Sequence, residues 1–324
     1  MKVFITREIP GTASDLLKSK NIKVKTYKGD KPIPYKLLKK EVKEVEGIIS
    51  LLTDKIDEEM IDSMNRCKVI ANYAVGYNNI NVPYADSKGI IVTNTPDVLT
   101  DSTADLAFAL ILACSRRVIE GEEIMRKKKF KGWQPKLLLG IELKGKNFGI
   151  IGTGRIGTAV AKRAAGFGVK ILYYDNKENT LINSLGVKKV GLDILLKNSD
   201  IITLHLPLNE MTFHLLDKKR LQLLKRTAVF INTARGELVE ENELINMLKR
   251  GRIFSAGFDV YENEPHINPE LYKLRNVVLL PHLGSATEDS RGNMARLAAE
   301  NVIAVLKGNS PITPVPASHL NLQK

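Results

Sequence analysis

Short apolar runs rich in Val and Ile alternate with helical patterns along the whole chain, and this alternation constrains the fold more than any other feature. Strands covered on both faces read as near-continuous apolar runs, and the helices between them cover a parallel sheet. The first set of runs is KVFIT (2–6), GIISLL (47–52), VIANYAV (69–75) and IIVTN (90–94), separated by helical patterns such as SDLLKSK and DEEMIDSMN. The acidic opening of DEEMIDSMN suits a helix N-terminus. A second set follows: NFGIIG (147–152), VKILYYD (169–175), DIITLHLP (200–207), AVFINTAR (228–235), FSAGFDV (254–260) and VVLLPHLG (277–284). Six strands with intervening helices predict a dinucleotide-binding sheet. The fold class is α/β, with two Rossmann-like or flavodoxin-like domains whose parallel sheets carry helices on both faces.

Between the two sets, TDSTADLAFALILACSRRVIEGEEIMRKK reads as one long helix capped by Thr100 or Ser102. It is almost wholly apolar from Leu106 to Cys114, so it must be buried between packed layers. ATEDSRGNMARLAAENVIAVLKG reads as a last long amphipathic helix, able to carry the chain back to the first domain. The tail from Asn309, with three prolines, reads as an extended strap.

A net charge of +13 raises the question of nucleic acid. Most lysines lie along amphipathic patterns such as KLLKKEVKEVE, and the one dense run is Arg126 to Lys131. No zinc spacing, basic heptad or aromatic RNA-binding motif accompanies it, and no residues are assigned to a metal. A solvated surface is expected, with a field that favours anionic small molecules and no nucleic-acid partner. The opening MKVFITREIP lacks signal-peptide features, and no eighteen apolar residues run uninterrupted. A cytoplasmic location without a membrane partner is the expectation, with Cys67 and Cys114 buried and reduced.

Gly152-Thr153-Gly154-Arg155-Ile156-Gly157 gains its meaning from context: it follows the run NFGIIG and leads into a helical pattern. Gly152 permits the tight turn and Gly154 lets the backbone approach a pyrophosphate. Gly157 lets helix and strand pack closely, leaving the positive helix end facing the phosphates. Asp175 ends the next strand, where a carboxylate accepts from both ribose hydroxyls and repels a 2′-phosphate. No Arg follows in Asn176-Lys177, so NAD(H) is expected over NADP(H).

Dehydrogenation of an alcohol needs a group that exchanges the hydroxyl proton. His205 ends an apolar strand and suits a structural role. His214, at a helical start, and His319, in the tail, read as solvated, whereas His266 in its loop stays open. His282 is the strongest candidate, because it falls just beyond the carboxyl end of VVLL, where open parallel sheets gather ligands. Arg235 ends AVFINTAR and suits a bidentate grip on a substrate carboxylate. Glu264, paired with His282, would orient the imidazole and favour its protonated form. The alternative for these two charges is a structural Arg235–Glu264 ion pair.

The segments GIIGTGRIG, INTARGELVEENEL, AGFDVYENEP and LLPHLGSAT, in this order and spacing, resemble the D-isomer-specific 2-hydroxyacid dehydrogenases over essentially the whole chain. The resemblance implies a substrate domain of residues 1–99 plus 286–324, with an NAD-binding domain of residues 100–285 inserted into it. It implies Arg235, Glu264 and His282 as the catalytic Arg, Glu and acid/base His. YAVGYNNI matches the family's substrate loop, so Val75 and Gly76 would hold a carboxylate through their N–H groups, with Leu51 nearby; Asn78 stands where the family usually has Asp. Cofactor contacts would fall on Thr103, Arg155, Ile156, Asp175, Leu206, Pro207, Thr212, Thr233, Ala234, Asp259 and Gly284, besides the glycine turn, Arg235 and His282.

SLLTDKID and WQPKLLLGIELKGKNFGIIG look like glyoxylate and hydroxypyruvate reductases of that family. Leu51, Leu52 and Thr53 offer no Arg of the kind that phosphoglycerate dehydrogenases use for a phosphate, and Glu264 stands where formate dehydrogenases have Gln. The resemblance therefore implies reduction of a small 2-oxo acid in an interdomain cleft, D-lactate or broader 2-oxo acid specificity being the alternative. An NAD-dependent corepressor would need partner-recruiting extensions that this sequence does not resemble. A homodimer is implied, with the arm from Lys131 to Leu139 against the partner; Trp133 would reach the other subunit or else anchor local packing.

Overall fold

The computed structural model describes residues 1–316 and divides into two compact units, Met1–Leu99 with Ala286–Lys324, and Thr100–Ser285. His319 lies outside the described residues. In the first unit, five parallel strands, β1 (Lys2–Ile5), β2 (Lys23–Thr26), β3 (Gly47–Ser50), β4 (Val69–Asn72) and β5 (Ile91–Thr93), stand in the order β2-β1-β3-β4-β5. Four short helices connect them, α1 (Ala13–Ser19), α2 (Tyr35–Glu41), α3 (Glu58–Asp62) and α4 (Val82–Ser87). Strand residues alternate between two cores. Phe4, Ile48, Ile70 and Val92 meet Leu38, Met60, Ile61 and Ala85 on one face.

The second unit holds α5 (Thr100–Ser115) and α6 (Val118–Arg126), then β6 (Asn147–Ile151), α7 (Arg155–Ala165), β7 (Lys170–Tyr174), β8 (Lys188–Lys189), α8 (Leu192–Asn198) and β9 (Ile201–Leu204). It continues with α9 (Lys218–Leu221), β10 (Val229–Asn232), α10 (Glu241–Lys249), β11 (Ser255–Phe258) and β12 (Val277–Leu279). The seven strands lie parallel in the order β12-β11-β10-β9-β6-β7-β8. Adjacent residues serve opposite faces: Ile150, Ile201, Val229 and Ile231 join the core under α5 and α7, whereas Ile151, Ile202 and Phe230 join the core under α8 to α10. Truncating a fully buried aromatic such as Phe230 to Ala costs about 3–5 kcal/mol. The last helix, α11 (Glu288–Leu306), is capped by the Thr287 hydroxyl and packs on β3, β4 and α1 of the first unit.

The structure departs from the sequence expectations at four places. The strands β2 and β8 were not expected; both are edge strands whose lysines face water and give no apolar run. The single long helix is two, α5 and α6, broken where Arg117 adopts a left-handed φ of 53° and the returning Ile141 N–H takes the Ser115 carbonyl. The two residues expected to cap α5 lie within it: Thr100 is its first helical residue and Ser102 lies in its first turn. Each strand also ends earlier than its apolar run, so the residues at the carboxyl edge lie in loops. The tail forms the expected strap, with Pro314 bridging Thr93 antiparallel and the Val315 N–H donating to the Val92 carbonyl.

Cys67 and Cys114 are free and buried, and burial pushes both thiols up to about 12. The basic run begins at the end of α6, where Arg126 and Lys127 pair with Glu122 and Glu123 one turn earlier. Among the described residues, no helix is long and apolar enough to cross a membrane.

Candidate active site

In the second unit the chain order reverses between β6 and β9, and open α/β sheets bind ligands beyond their strands' carboxyl ends at such a point. The glycine turn leaves β6 there, and its three glycines have three different reasons. Gly152 has φ 91°, and a Cβ on it would stand 2.7 Å from the His205 carbonyl oxygen and 2.8 Å from Leu206 Cδ2. A Cβ on Gly157 would stand 2.0 Å from the Gly152 carbonyl oxygen, so turn and helix pack on bare backbone. A Cβ on Gly154 would meet nothing within 4 Å. That open concavity lies at the N-terminus of the eleven-residue helix α7, which fits a cofactor's phosphates.

Side chains fix the turn from outside. Asp175 Oδ2 accepts from the Thr153 N–H (2.7 Å) and Oγ1 (3.1 Å), and Asp175 Oδ1 accepts from the Lys177 N–H (3.2 Å). Asn179, which carries no sequence signal, donates to the Thr153 carbonyl and to Thr158 Oγ1, each at 2.7 Å. Next to the turn, Thr212 Oγ1 donates to the Pro207 carbonyl and accepts from the Asn209 N–H, so it closes its own loop. The Thr233 hydroxyl is buried without a partner among the described residues.

Beyond β10, β11 and β12, three loops bring the charged residues together. The His282 Nδ1–H donates to Glu264 Oε2 at 2.9 Å, and Glu264 Oε1 accepts from the Tyr261 N–H at 3.0 Å. The imidazole's Nε2 has no partner among the described residues. Burial alone would raise the Glu264 carboxyl, but His282, the Tyr261 N–H and the Arg235 charge outweigh it and hold it below the usual range. The His282 backbone is left-handed at φ 56° and is held there by Asp259. The Asp259 carbonyl accepts from the His282 N–H (3.0 Å), and its carboxylate accepts from the N–H groups of Leu283 (2.6 Å) and Gly284 (2.8 Å). Thr103 Oγ1 adds a bond of 3.0 Å to the Gly284 carbonyl. Thus Asp259, Thr103 and Gly284 are placed as the framework of the His282 loop. Burial raises the Asp259 carboxyl, against the pull of those N–H groups and His282.

Arg235 is partly buried, and burial pulls its guanidinium down from its ordinary range against the fields of Glu237 and Glu264. Buried Asn232 shapes its turn, donating to the Arg235 carbonyl (2.8 Å) and accepting from the Ala234 N–H (3.0 Å). Gly236 is required next to it: a Cβ there would stand 1.9 Å from the Tyr261 carbonyl carbon. Sequence reading missed both residues. The bare backbone at Gly236 lets the Arg235 and Glu264 loops touch.

Among the other histidines, His205 Nε2 lies 2.9 Å from Thr203 Oγ1, and burial pushes its pKa down to about 3. His214 was expected to be solvated at a helical start; it instead lies in a turn with φ 45°, paired with Glu262 at 2.9 Å and stacked on Phe213. His266 is exposed.

In the first unit, the loop after β4 has its carbonyls pinned. Asn94 Nδ2 donates to the Val75 carbonyl and Asn72 Nδ2 to the Gly76 carbonyl, each at 2.8 Å. Asn79 Nδ2 ties the loop to the carbonyls of Leu51 (3.1 Å) and Asp54 (3.0 Å), and the Leu51 N–H donates to Asp54 Oδ2. The N–H groups of Val75 and Gly76 donate to nothing among the described residues. Two free amide donors on a pinned backbone make a preorganised anion cradle.

Residues 108–284 match the NAD binding domain of the D-isomer specific 2-hydroxyacid dehydrogenases. The chain belongs to this family. It is an oxidoreductase, and its second unit contains the NAD-binding domain. The glyoxylate reductase of Thermococcus litoralis is 48% identical over 315 residues, 96% of this chain and 95% of that protein. The crystal structure of a glyoxylate reductase from Paecilomyes thermophila superposes with TM-score 0.88 at 32% identity, covering 98% of this chain and 99% of that one. An NADPH-dependent glyoxylate/hydroxypyruvate reductase from Sinorhizobium meliloti, in complex with NADP and malonate, has TM-score 0.87 and 30% identity over 100% of this chain and 99% of that one.

Proposed function

We propose that the enzyme reduces glyoxylate or hydroxypyruvate to the D-2-hydroxy acid with NADH. The observation that carries this reading is the 2.9 Å bond between His282 Nδ1 and a Glu264 carboxylate held ionised, which leaves Nε2 to exchange a proton. A bound nicotinamide supplies the hydride. Asp175 selects NAD(H) over NADP(H), because its carboxylate repels a 2′-phosphate at the ribose. The N–H groups of Val75 and Gly76 take the substrate carboxylate with help from Arg235. His282, oriented by Glu264, gives its Nε2 proton to the developing alkoxide. Similarity to named glyoxylate reductases supports the substrate class.

We infer also that a second copy covers the arm from Lys131 to Leu139. Trp133 is 84% exposed and Leu139 63% exposed in the single chain, so Trp133 anchors no local packing.

Turnover with glyoxylate and NADH tests the chemistry. His282→Gln is expected to lower kcat by about 10²–10⁴-fold, the worth of a positioned acid/base, while NADH titrates as in the wild type. Undiminished turnover removes the mechanism. For the cofactor, kcat/KM with NADH is expected to exceed that with NADPH by at least about tenfold, as the ribose-binding carboxylate implies. An inverted ratio removes the assignment of Asp175.

A further inference from the structure

The first unit's strand order, β2-β1-β3-β4-β5, also reverses direction at one place, between β1 and β3. Ligands of such sheets collect beyond the carboxyl ends of the strands there. One side of that point is Leu51 to Thr53 after β3. The other side is Arg7, after β1. The register pairs Ile5 with Ile49 and Ile49 with Ala71, so Arg7, Leu51 and Tyr73 stand at one level, with Val75 two residues beyond.

Arg7 is poorly satisfied where it stands. Its Nη2 reaches Thr53 Oγ1 at 3.4 Å, a long contact, and its Nε is buried with no partner. The acid whose field it shares is buried Asp54, but Asp54 Oδ2 already accepts from Thr6 Oγ1 (2.5 Å) and the Leu51 N–H (2.7 Å), and the pair is not in ion-pair contact. A buried guanidinium nitrogen without an acceptor is costly, and a guanidinium this loosely held has its outward donors to offer a carboxylate. Sequence reading found no Arg at Leu51, Leu52 or Thr53 for a charged substrate group. The structure supplies one from a segment 44 residues earlier than Leu51.

We infer that Arg7 is a specificity-determining residue that binds a second carboxylate, at the far end of a four-carbon 2-oxo diacid. The inference rests on Val75 and Gly76 holding the first carboxylate. The strands β1 and β4 flank β3, so they lie about 10 Å apart, two strand spacings. Two hydrogen bonds of about 2.9 Å and about 4 Å between the terminal carbons of a four-carbon chain span a comparable length. Glyoxylate carries nothing beyond its aldehyde carbon and does not reach Arg7. Hydroxypyruvate extends a hydroxyl part of the way.

The test compares oxaloacetate, 2-oxobutyrate and glyoxylate as substrates of the full chain with NADH. The two four-carbon acids have the same length and differ in terminal charge. The wild type is expected to favour oxaloacetate over 2-oxobutyrate in kcat/KM. Arg7→Met is expected to lower kcat/KM for oxaloacetate by about 10- to 100-fold, mainly through KM, the loss of one charge-assisted pair. Its value for glyoxylate should stay within about twofold, and Arg7→Lys should fall between the two, keeping charge without the fork. A wild type indifferent to the terminal charge overturns the inference, as does an Arg7→Met variant that loses all three substrates alike. Either result leaves the glyoxylate reading standing if glyoxylate is reduced. A wild type that oxidises NADH with none of the three removes that reading and the inference together.

Discussion

The two sheets end in edges built differently. Beyond the second unit's strands, carboxylates hold backbone: Asp259 fixes the His282 loop, Asp175 the glycine turn, and Glu264 is itself fixed by the Tyr261 N–H. Beyond β4 of the first unit, neutral amides do the holding, with Asn72, Asn79 and Asn94 pinning carbonyls so that N–H groups point free. Every described histidine belongs to the second unit. One edge thus offers groups that titrate and exchange protons. The other offers fixed dipoles and the Arg7 cation, the groups that the proposals above give to recognition of charge. On the proposed reading, proton exchange falls to the second unit and the amide cradle for the substrate carboxylate to the first.

Within the second unit, the glycines separate packing from ligand space, and this gives the largest expected effect on stability. Gly157→Ala forces a methyl group onto the Gly152 carbonyl and is expected to cost about 1–3 kcal/mol, read as a fall of several degrees in Tm. Gly154→Ala meets no protein atom. Its Tm should match the wild type while NADH binding weakens about tenfold or more, because the backbone must approach the phosphates there. Equal behaviour of the two variants in both measurements would break the distinction.

A smaller effect comes from His205. Its folded pKa of about 3 lies below the unfolded value near 6.5, so only the unfolded chain takes up the proton between them. The stability this contributes is complete above about pH 6.5 and is lost as pH falls toward 3. Urea midpoints at pH 7 and pH 5 should therefore differ more in the wild type than in His205→Gln. An unchanged difference would mean that His205 is not held neutral.

Much of the fold was legible because strands buried on both faces must be apolar throughout, so all ten of the expected runs became strands. The edge strands β2 and β8 were not, since exposed lysines leave no apolar signature. Nor was the break after Ser115 legible, because the Ile141 N–H that takes its carbonyl comes from a distant segment. At the site, the sequence exposed groups that do chemistry at strand ends, among them Arg235, Glu264 and His282. It concealed those that hold them. Asn72, Asn79, Asn94, Asn179, Asn232 and Gly236 act through single contacts to backbone, and such contacts leave no periodicity or spacing in a chain.

The division between the two edges is tested most directly by measuring kcat and KM for glyoxylate in Glu264→Gln and Asn94→Ala side by side. Removing the Glu264 charge should lower kcat about 10- to 100-fold with KM nearly unchanged, since the imidazole loses the carboxylate that orients it. Releasing the Val75 carbonyl should raise KM about tenfold with kcat largely preserved. The reverse assignment, with Glu264→Gln acting on KM and Asn94→Ala on kcat, would contradict the account.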